Sequence, residues 1–300
     1  MPHLVPCSSK IPAKLLLFGE YVTLIGGTAL ALPISRFSTN WVNEPTNEAA
    51  QAPLVGLLNY MKTLWAQGDL IARCNFDAFE QSLKSGYWLP SNVPQGYGLG
   101  SSGAVVAAIY RDFCEKQADE TLHLDNLKMQ LAQMESFFHG ASSGIDPLVC
   151  YTKQALLIAK NNAVSRVAAD LSLANFWLLD TQKARQTAPL VDFFNQSCQN
   201  AAYLNSLKSD YIPTNERCLA AYLGGDISGL EAGMRSLSAQ QLVLFEAMIP
   251  EFLRPFWAQG ISSGDFYLKL CGAGGGGFML AFAKTKSDIP IDLQASLLDF

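Results

Sequence analysis

An α+β fold in two domains is the architecture this 300-residue chain predicts. Three observations point to it. Strand-like and helix-like segments mix without the strict βα alternation of a doubly wound sheet. The chain opens on a hairpin pattern, with Ala13 to Phe18 and Thr28 to Ile34 as strands around the turn signal Gly26-Gly27. From Pro189 onward the pattern turns helical. With 49% hydrophobic residues the chain can fill the cores of one large or two ordinary domains. No long linker marks a boundary, and the division is expected at 1–168 and 169–300.

The elements follow in order. A glycine- and serine-rich loop, Pro94 to Ala104, runs directly into the apolar, helix-like VVAAIY. Leu127, Leu131, Met134 and Phe138 recur at helical spacing, so Asn126 to Phe138 is expected to be a helix ending near Gly140. Glu135 shares the side of Leu131 and Phe138 and should look inward. Gln154 to Lys160 and Phe176 to Asp180 read as strands. In the helical part, Gly224-Gly225 is a stop and Asp226 a fresh start. Near the end, the strand-like runs FYLKLC and FMLAFA flank Gly272 to Gly277.

Composition excludes several function classes. A net charge of −5 with 16% charged residues argues against nucleic-acid or anionic-membrane surfaces, which need basic patches. Leu15 to Ile34 is the most apolar region, but Glu20, Thr23 and two glycines break it as a membrane span. No basic head with a long apolar stretch opens the chain. Seven cysteines without a C-x-x-C pair read as reduced thiols of a cytoplasmic protein. Three histidines leave little room for a zinc site. The expected partner is a small-molecule substrate, with a homodimer left open.

The loop Gly98-Leu99-Gly100-Ser101-Ser102-Gly103 presents backbone N–H groups to one point, and the helix behind it adds the positive end of its dipole. Such a place binds phosphate. The same residues spell G-x-G-x-x-G, yet a dinucleotide loop should follow a buried strand, and Trp88 to Pro94 carries two prolines. Asp119 and Glu120, some twenty residues on, lie in a polar stretch rather than at a strand end. Gly272 to Gly277 repeats the pattern between two strands, so it too lacks the required context.

Lys14, Glu20, Glu135 and Asp146 stand in settings where burial without a purpose is costly. Each has a bland reading. Lys14 could snorkel from a strand end, Glu20 could sit in solvent, Glu135 could pair with His139 one turn on, and Asp146 could cap a turn. Together they fit phosphoryl transfer, which needs a phosphate cradle, oxygen ligands for Mg²⁺, a cation and a group orienting the acceptor hydroxyl. No G-x-x-x-x-G-K-[ST] occurs, and neither H-R-D nor D-F-G is present, so P-loop and protein-kinase machinery are excluded.

Three motifs carry a resemblance. Pro12-Ala13-Lys14-Leu15-Leu16-Leu17-Phe18-Gly19-Glu20, the Gly98 to Ala104 loop, and Lys269 to Gly277 stand in the order found in the GHMP kinase superfamily. Within it the chain most resembles the mevalonate kinases, through Glu135-x₃-His139-Gly140-x₂-Ser143-Gly144-x-Asp146. The segment Asp180 to Thr187 resembles the opening of that family's second domain.

The resemblance implies two α+β domains with the active site in the cleft between them, and transfer of the γ-phosphoryl group of ATP to an alcohol hydroxyl, mevalonate above all. It implies that Gly98 to Gly103 wrap the ATP phosphates and that Ser102 and Glu135 ligate Mg²⁺. Asp146 would face the acceptor hydroxyl with Lys14 beside it. Glu20, Tyr21, Ser143, Gly144, Gly272, Ala273 and Gly274 would line the substrate side or the cleft. The chain departs from the family pattern at Tyr21, where mevalonate kinases usually carry histidine, at Ala13 in place of glycine, and at Gly103 in place of alanine. Rival readings are a phosphomevalonate kinase, for which Arg36 and Arg185 are candidate cations, a galactokinase-like sugar kinase, and a silent relative that senses ATP and a metabolite.

Overall fold

The computed structural model describes residues 6–44, 48–115, 124–168, 171–184 and 187–300. Asp119, Glu120, Arg185 and the expected boundary residue 169 lie outside them. The strands are β1 (Ile11–Phe18), β2 (Ala29–Thr39), β3 (Val42–Asn43), β4 (Tyr87–Trp88), β5 (Leu156–Ile158), β6 (Val164–Arg166), β7 (Phe176–Asp180), β8 (Phe266–Leu270), β9 (Phe278–Ala283) and β10 (Leu297–Leu298). The helices are α1 (Glu48–Gln67), α2 (Phe76–Lys84), α3 (Ser101–Phe113), α4 (Leu124–His139), α5 (Ile145–Thr152), α6 (Thr187–Ser197), α7 (Ala201–Ser206), α8 (Ile212–Leu223), α9 (Ile227–Leu244), α10 (Arg254–Ser263) and α11 (Ile291–Gln294). Strands and helices mix as the sequence predicts, and the fold is α+β.

Two compact units emerge, and they interleave along the chain. One comprises residues 1–14, 32–94 and 99–155; the other comprises 15–31, 95–98 and 156–300. A sequential division after residue 168 differs from this, because early segments bond with late ones. In the second unit the Asn215 side chain donates to the Thr28 carbonyl at 2.9 Å. The Phe278 amide reaches the Tyr97 carbonyl at 3.4 Å.

In the first unit α3 is buried on nearly every side, with Val106 to Tyr110 all fully enclosed. That is why its sequence is apolar all round rather than amphipathic. Its one buried phenol, Tyr110, donates to Gln130 of α4 at 2.9 Å, which removes the cost of an unpaired hydroxyl. α4 turns Leu124, Leu127, Leu131 and Met134 inward at 3- and 4-residue spacing. Trp41, Phe79 and Phe113 close the other side, with the two phenyl rings stacked at 4.8 Å.

In the second unit an antiparallel sheet runs in the order β10-β7-β9-β8. β8 and β9 form a hairpin with Leu270 opposite Met279, and the glycine-rich segment is its connection. α8 and α9 pack closely because Gly233 has no side chain; a Cβ there would come within 2.7 Å of the Cys218 sulfur. A further sheet has the order β1-β2-β5-β6, with Ala29 to Ala31 paired antiparallel to Leu156 to Ile158.

Several expectations need correcting. β2 continues to Thr39 rather than stopping at Ile34, because exposed Ser35 and Arg36 sit on it without ending the ladder and Phe37 to Thr39 are buried again. The strand expected over residues 154–160 is limited to Leu156–Ile158. The cysteines are not all reduced. Cys74 and Cys114 form a disulfide, facing one another across an antiparallel bridge. That pairing removes a support for the cytoplasmic reading drawn from free thiols. Among the described residues no helix is long and apolar enough to cross a membrane.

Candidate active site

Lys14 stands in β1, whose alternate residues fill the core, and its ammonium lies 2.7 Å from Asp146 Oδ1. The lysine side chain is 8% exposed and the aspartate 33% exposed, so the pair is anchored on one side and open on the other. The Lys14 amide donates to the Leu99 carbonyl at 2.9 Å, fixing the strand to the start of the glycine loop.

Two helix N-termini meet beside this pair. Gly100 caps α3 in the left-handed region at φ 68°, and Gly144 caps α5 at φ 74°. A Cβ on Gly100 would lie 3.1 Å from Asp146 Oδ2, and one on Gly103 would lie 2.7 Å from the Pro147 nitrogen. The glycines therefore let the first turns of α3 and α5 touch. Gly103 is closed to a side chain by this contact. Asp146 stands in the first turn of α5, where the helix dipole favours a negative charge. The positive ends of the α3 and α5 dipoles favour negative charge at the loop, a local preference that a net charge of −5 does not suggest.

Glu135, 4% exposed on the inner face of α4, accepts from Ser102 at 3.0 Å through Oε1 and from Ser142 at 2.5 Å through Oε2. Burial, and then the negative charge of Asp146, push its carboxyl up to about 7, while the two hydroxyls and Lys14 pull the other way. The Ser102 oxygen is also 2.9 Å from His139 Nε2. His139 thus bonds to Ser102, not to Glu135 one turn before it. Ser143 is exposed, at the Ile145 amide.

The remaining candidates lie in the second unit. Glu20 is fully buried in an ion pair with Lys269, itself fully buried, at 2.5 Å. Lys269 also donates to the Leu270 carbonyl at 2.7 Å and lies 5.7 Å above the Phe18 ring. The Tyr21 hydroxyl donates to the Ala273 carbonyl at 2.6 Å, and its ring packs on Phe194 and Phe245. Glu20 and Tyr21 thereby tie the end of the first motif to the third. Gly272 and Gly274 adopt φ 77° and 74°, and a Cβ on Gly274 would come 2.5 Å from the Met248 carbonyl. Gly98, at φ 83°, belongs to this unit as well.

Lys14, Leu99, Gly100, Ser102, Gly103, Glu135, Gly144 and Asp146 are thus gathered in the first unit. Sequence reasoning missed Lys269 and Ser142. A lone lysine in the otherwise apolar FYLKL strand is a signal for a buried counter-charge, which the structure supplies as Glu20. Ser142 carries no comparable signal, being one of two adjacent serines in a loop.

The oxygens of Ser102 and Glu135 fit a hard cation such as Mg²⁺. They are 3.0 Å apart, a hydroxyl and a carboxyl oxygen side by side. Among the described residues no group of three or more His, Cys, Asp and Glu side chains is arranged to hold a metal. A partial oxygen shell completed by phosphates and water is how Mg²⁺ is usually held.

A family model described as GHMP kinases N terminal domain matches residues 68–154. The chain is 24% identical over 299 residues to the mevalonate kinase of Methanothermobacter thermautotrophicus, covering 91% of this chain and 89% of that one. Its fold is that of L. major mevalonate kinase in complex with R-mevalonate, at TM-score 0.63 and 19% identity, over 98% of this chain and 92% of the other. The Streptococcus pneumoniae phosphomevalonate kinase in complex with phosphomevalonate and AMPPNP shares it at TM-score 0.63 and 16% identity, over 97% of each.

Proposed function

We propose that this chain, which resembles GHMP kinases and among them mevalonate kinases, is an ATP-dependent kinase whose acceptor is mevalonate. The observation that carries the reading is the Lys14–Asp146 pair at 2.7 Å, open to solvent on the aspartate side where the N-termini of α3 and α5 meet. The Gly98 to Gly103 amides and the positive end of α3 hold the nucleotide phosphates. Ser102 and Glu135 hold Mg²⁺, which when bound neutralises charge on the phosphate oxygens.

Asp146 receives the proton of the acceptor hydroxyl at a carboxylate oxygen and orients that hydroxyl for in-line attack. The Lys14 ammonium stabilises the negative charge gathering on the acceptor and on the transferring group. The catalytic work is positioning and electrostatics, and the cradle glycines serve it by keeping side chains out of the approach. A small soluble acceptor and a cytoplasmic setting belong to the same reading.

The test is ADP release by purified protein with Mg-ATP and, in parallel, mevalonate, phosphomevalonate, galactose and homoserine. The account expects mevalonate to dominate. Preference for phosphomevalonate or galactose would keep the kinase reading and overturn the acceptor. ATP binding without release on any of the four would favour the silent, metabolite-sensing alternative.

A further inference from the structure

We propose that His139 and Ser142 are positioning residues that hold Ser102 and Glu135 as a preformed seat for the magnesium ion of the nucleotide. The proposal rests on the kinase reading above and goes beyond it, since neither side chain is among the groups that reading uses. Both oxygens of the Glu135 carboxylate receive a serine hydroxyl: Ser102 on Oε1 at 3.0 Å and Ser142 on Oε2 at 2.5 Å. Each hydroxyl oxygen in turn lies against a nitrogen. The Gly144 amide donates to Ser142 Oγ at 2.9 Å, and His139 Nε2 lies 2.9 Å from Ser102 Oγ.

A hydroxyl has one proton to give. If Ser102 gives it to the carboxylate, its oxygen accepts from His139, which makes Nε2 the protonated ring nitrogen. The assignment follows from the donor inventory. Two parallel chains result, His139 to Ser102 to Glu135 and Gly144 to Ser142 to Glu135. They leave Glu135 no freedom to rotate, while Ser102 keeps a lone pair for a cation. Groups that orient ligands in this way commonly alter metal affinity roughly 10- to 100-fold when removed.

The geometry also fixes where the effect should appear. Neither His139 nor Ser142 needs to touch the nucleotide, so ADP binding without metal should not depend on them. Their contribution is confined to the gain in ADP affinity that Mg²⁺ brings.

The experiment is calorimetric titration of ADP, with Mg²⁺ and with chelator, into the wild-type chain and into Ser142→Ala, Ser142→Thr, His139→Phe and His139→Gln. In Ser142→Ala and His139→Phe the magnesium-dependent gain should fall roughly 10-fold or more. Affinity in chelator should stay, which also reports that these variants are folded. Ser142→Thr keeps the hydroxyl and His139→Gln keeps an N–H at similar reach, so both should recover most of the gain. Wild-type gain in the Ala and Phe variants would overturn the proposal, and so would an equal loss with and without metal. Absence of a magnesium-dependent gain in the wild-type chain would overturn the kinase reading itself, and this proposal with it.

Discussion

At Glu135 burial and the charge of Asp146 raise the carboxyl to about 7 from an ordinary value near 4.5. The folded state then binds the proton more tightly than the unfolded state. Its contribution to stability is full below the unfolded value and is lost as pH rises from there through about 7. Glu135→Gln is therefore expected to stabilise the metal-free protein at pH 8, on the order of 1–3 kcal/mol. At pH 4.5 the difference should vanish. Urea unfolding at both values checks this, and an equal shift at both would show that the carboxyl is not strained by burial. At Lys269 the sign is opposite. Removing one member of a fully buried pair strands the other, so Lys269→Met should cost about 3–5 kcal/mol. A double variant with Glu20→Gln should recover part of that loss in the same unfolding experiment. Glu20 and Glu135 were legible in the sequence as costly to bury, but the Lys269 partner of Glu20 was not. Glu20 and Lys269 are separated by 249 residues, and no local pattern spans that distance.

The short helix α5 depends on its cap. Gly144 lies at φ 74°, and a Cβ there would come within 2.3 Å of the Lys128 carbonyl of α4. Gly144→Ala meets backbone on one side and a disfavoured φ on the other, so we expect it to lose about 2 kcal/mol or more. The loss would displace Asp146 and the amide that aims Ser142. Thermal unfolding and mevalonate-dependent ADP release should fall together; wild-type stability would mean that the α4–α5 contact is looser than described. At this scale periodicity was a good guide where one face is buried. α4 was expected over Asn126 to Phe138 and spans Leu124–His139, because its apolar spacing is unbroken. The far part of β2 escaped notice because Ser35 and Arg36 interrupt the apolar run while their backbone stays in the ladder. The glycine- and serine-rich loop ahead of α3 was legible from its composition, while the close approach of α3 to α5 that Gly100 and Gly103 permit was not.

For the molecule as a whole, the disulfide between Cys74 and Cys114 closes a long loop, with a sequence separation of 40. Chain-entropy reasoning gives about 4 kcal/mol for a loop of that length. Unfolding with and without reductant measures it, with a lower midpoint expected under reductant and an unchanged one contradicting a stabilising role. The pair could not be read from the sequence, since spacing alone does not choose among seven cysteines. The interleaving of the two units was equally hidden, because it rests on long-range bonds such as Asn215 to Thr28. What the ordered motifs did convey was which residues to look for. Lys14, Glu20, Glu135 and Asp146 were singled out on residue type and setting and Ser102 through the resemblance, and the fold gathers all but Glu20 in one unit. The most direct measurement of the proposed chemistry is mevalonate-dependent ADP formation by Asp146→Asn, with ADP affinity measured on the same sample. The account predicts turnover reduced roughly 100- to 10,000-fold with ADP binding kept. Turnover near that of the unaltered chain, or ADP binding lost while the fold persists, would contradict the assignment of Asp146 to the acceptor hydroxyl.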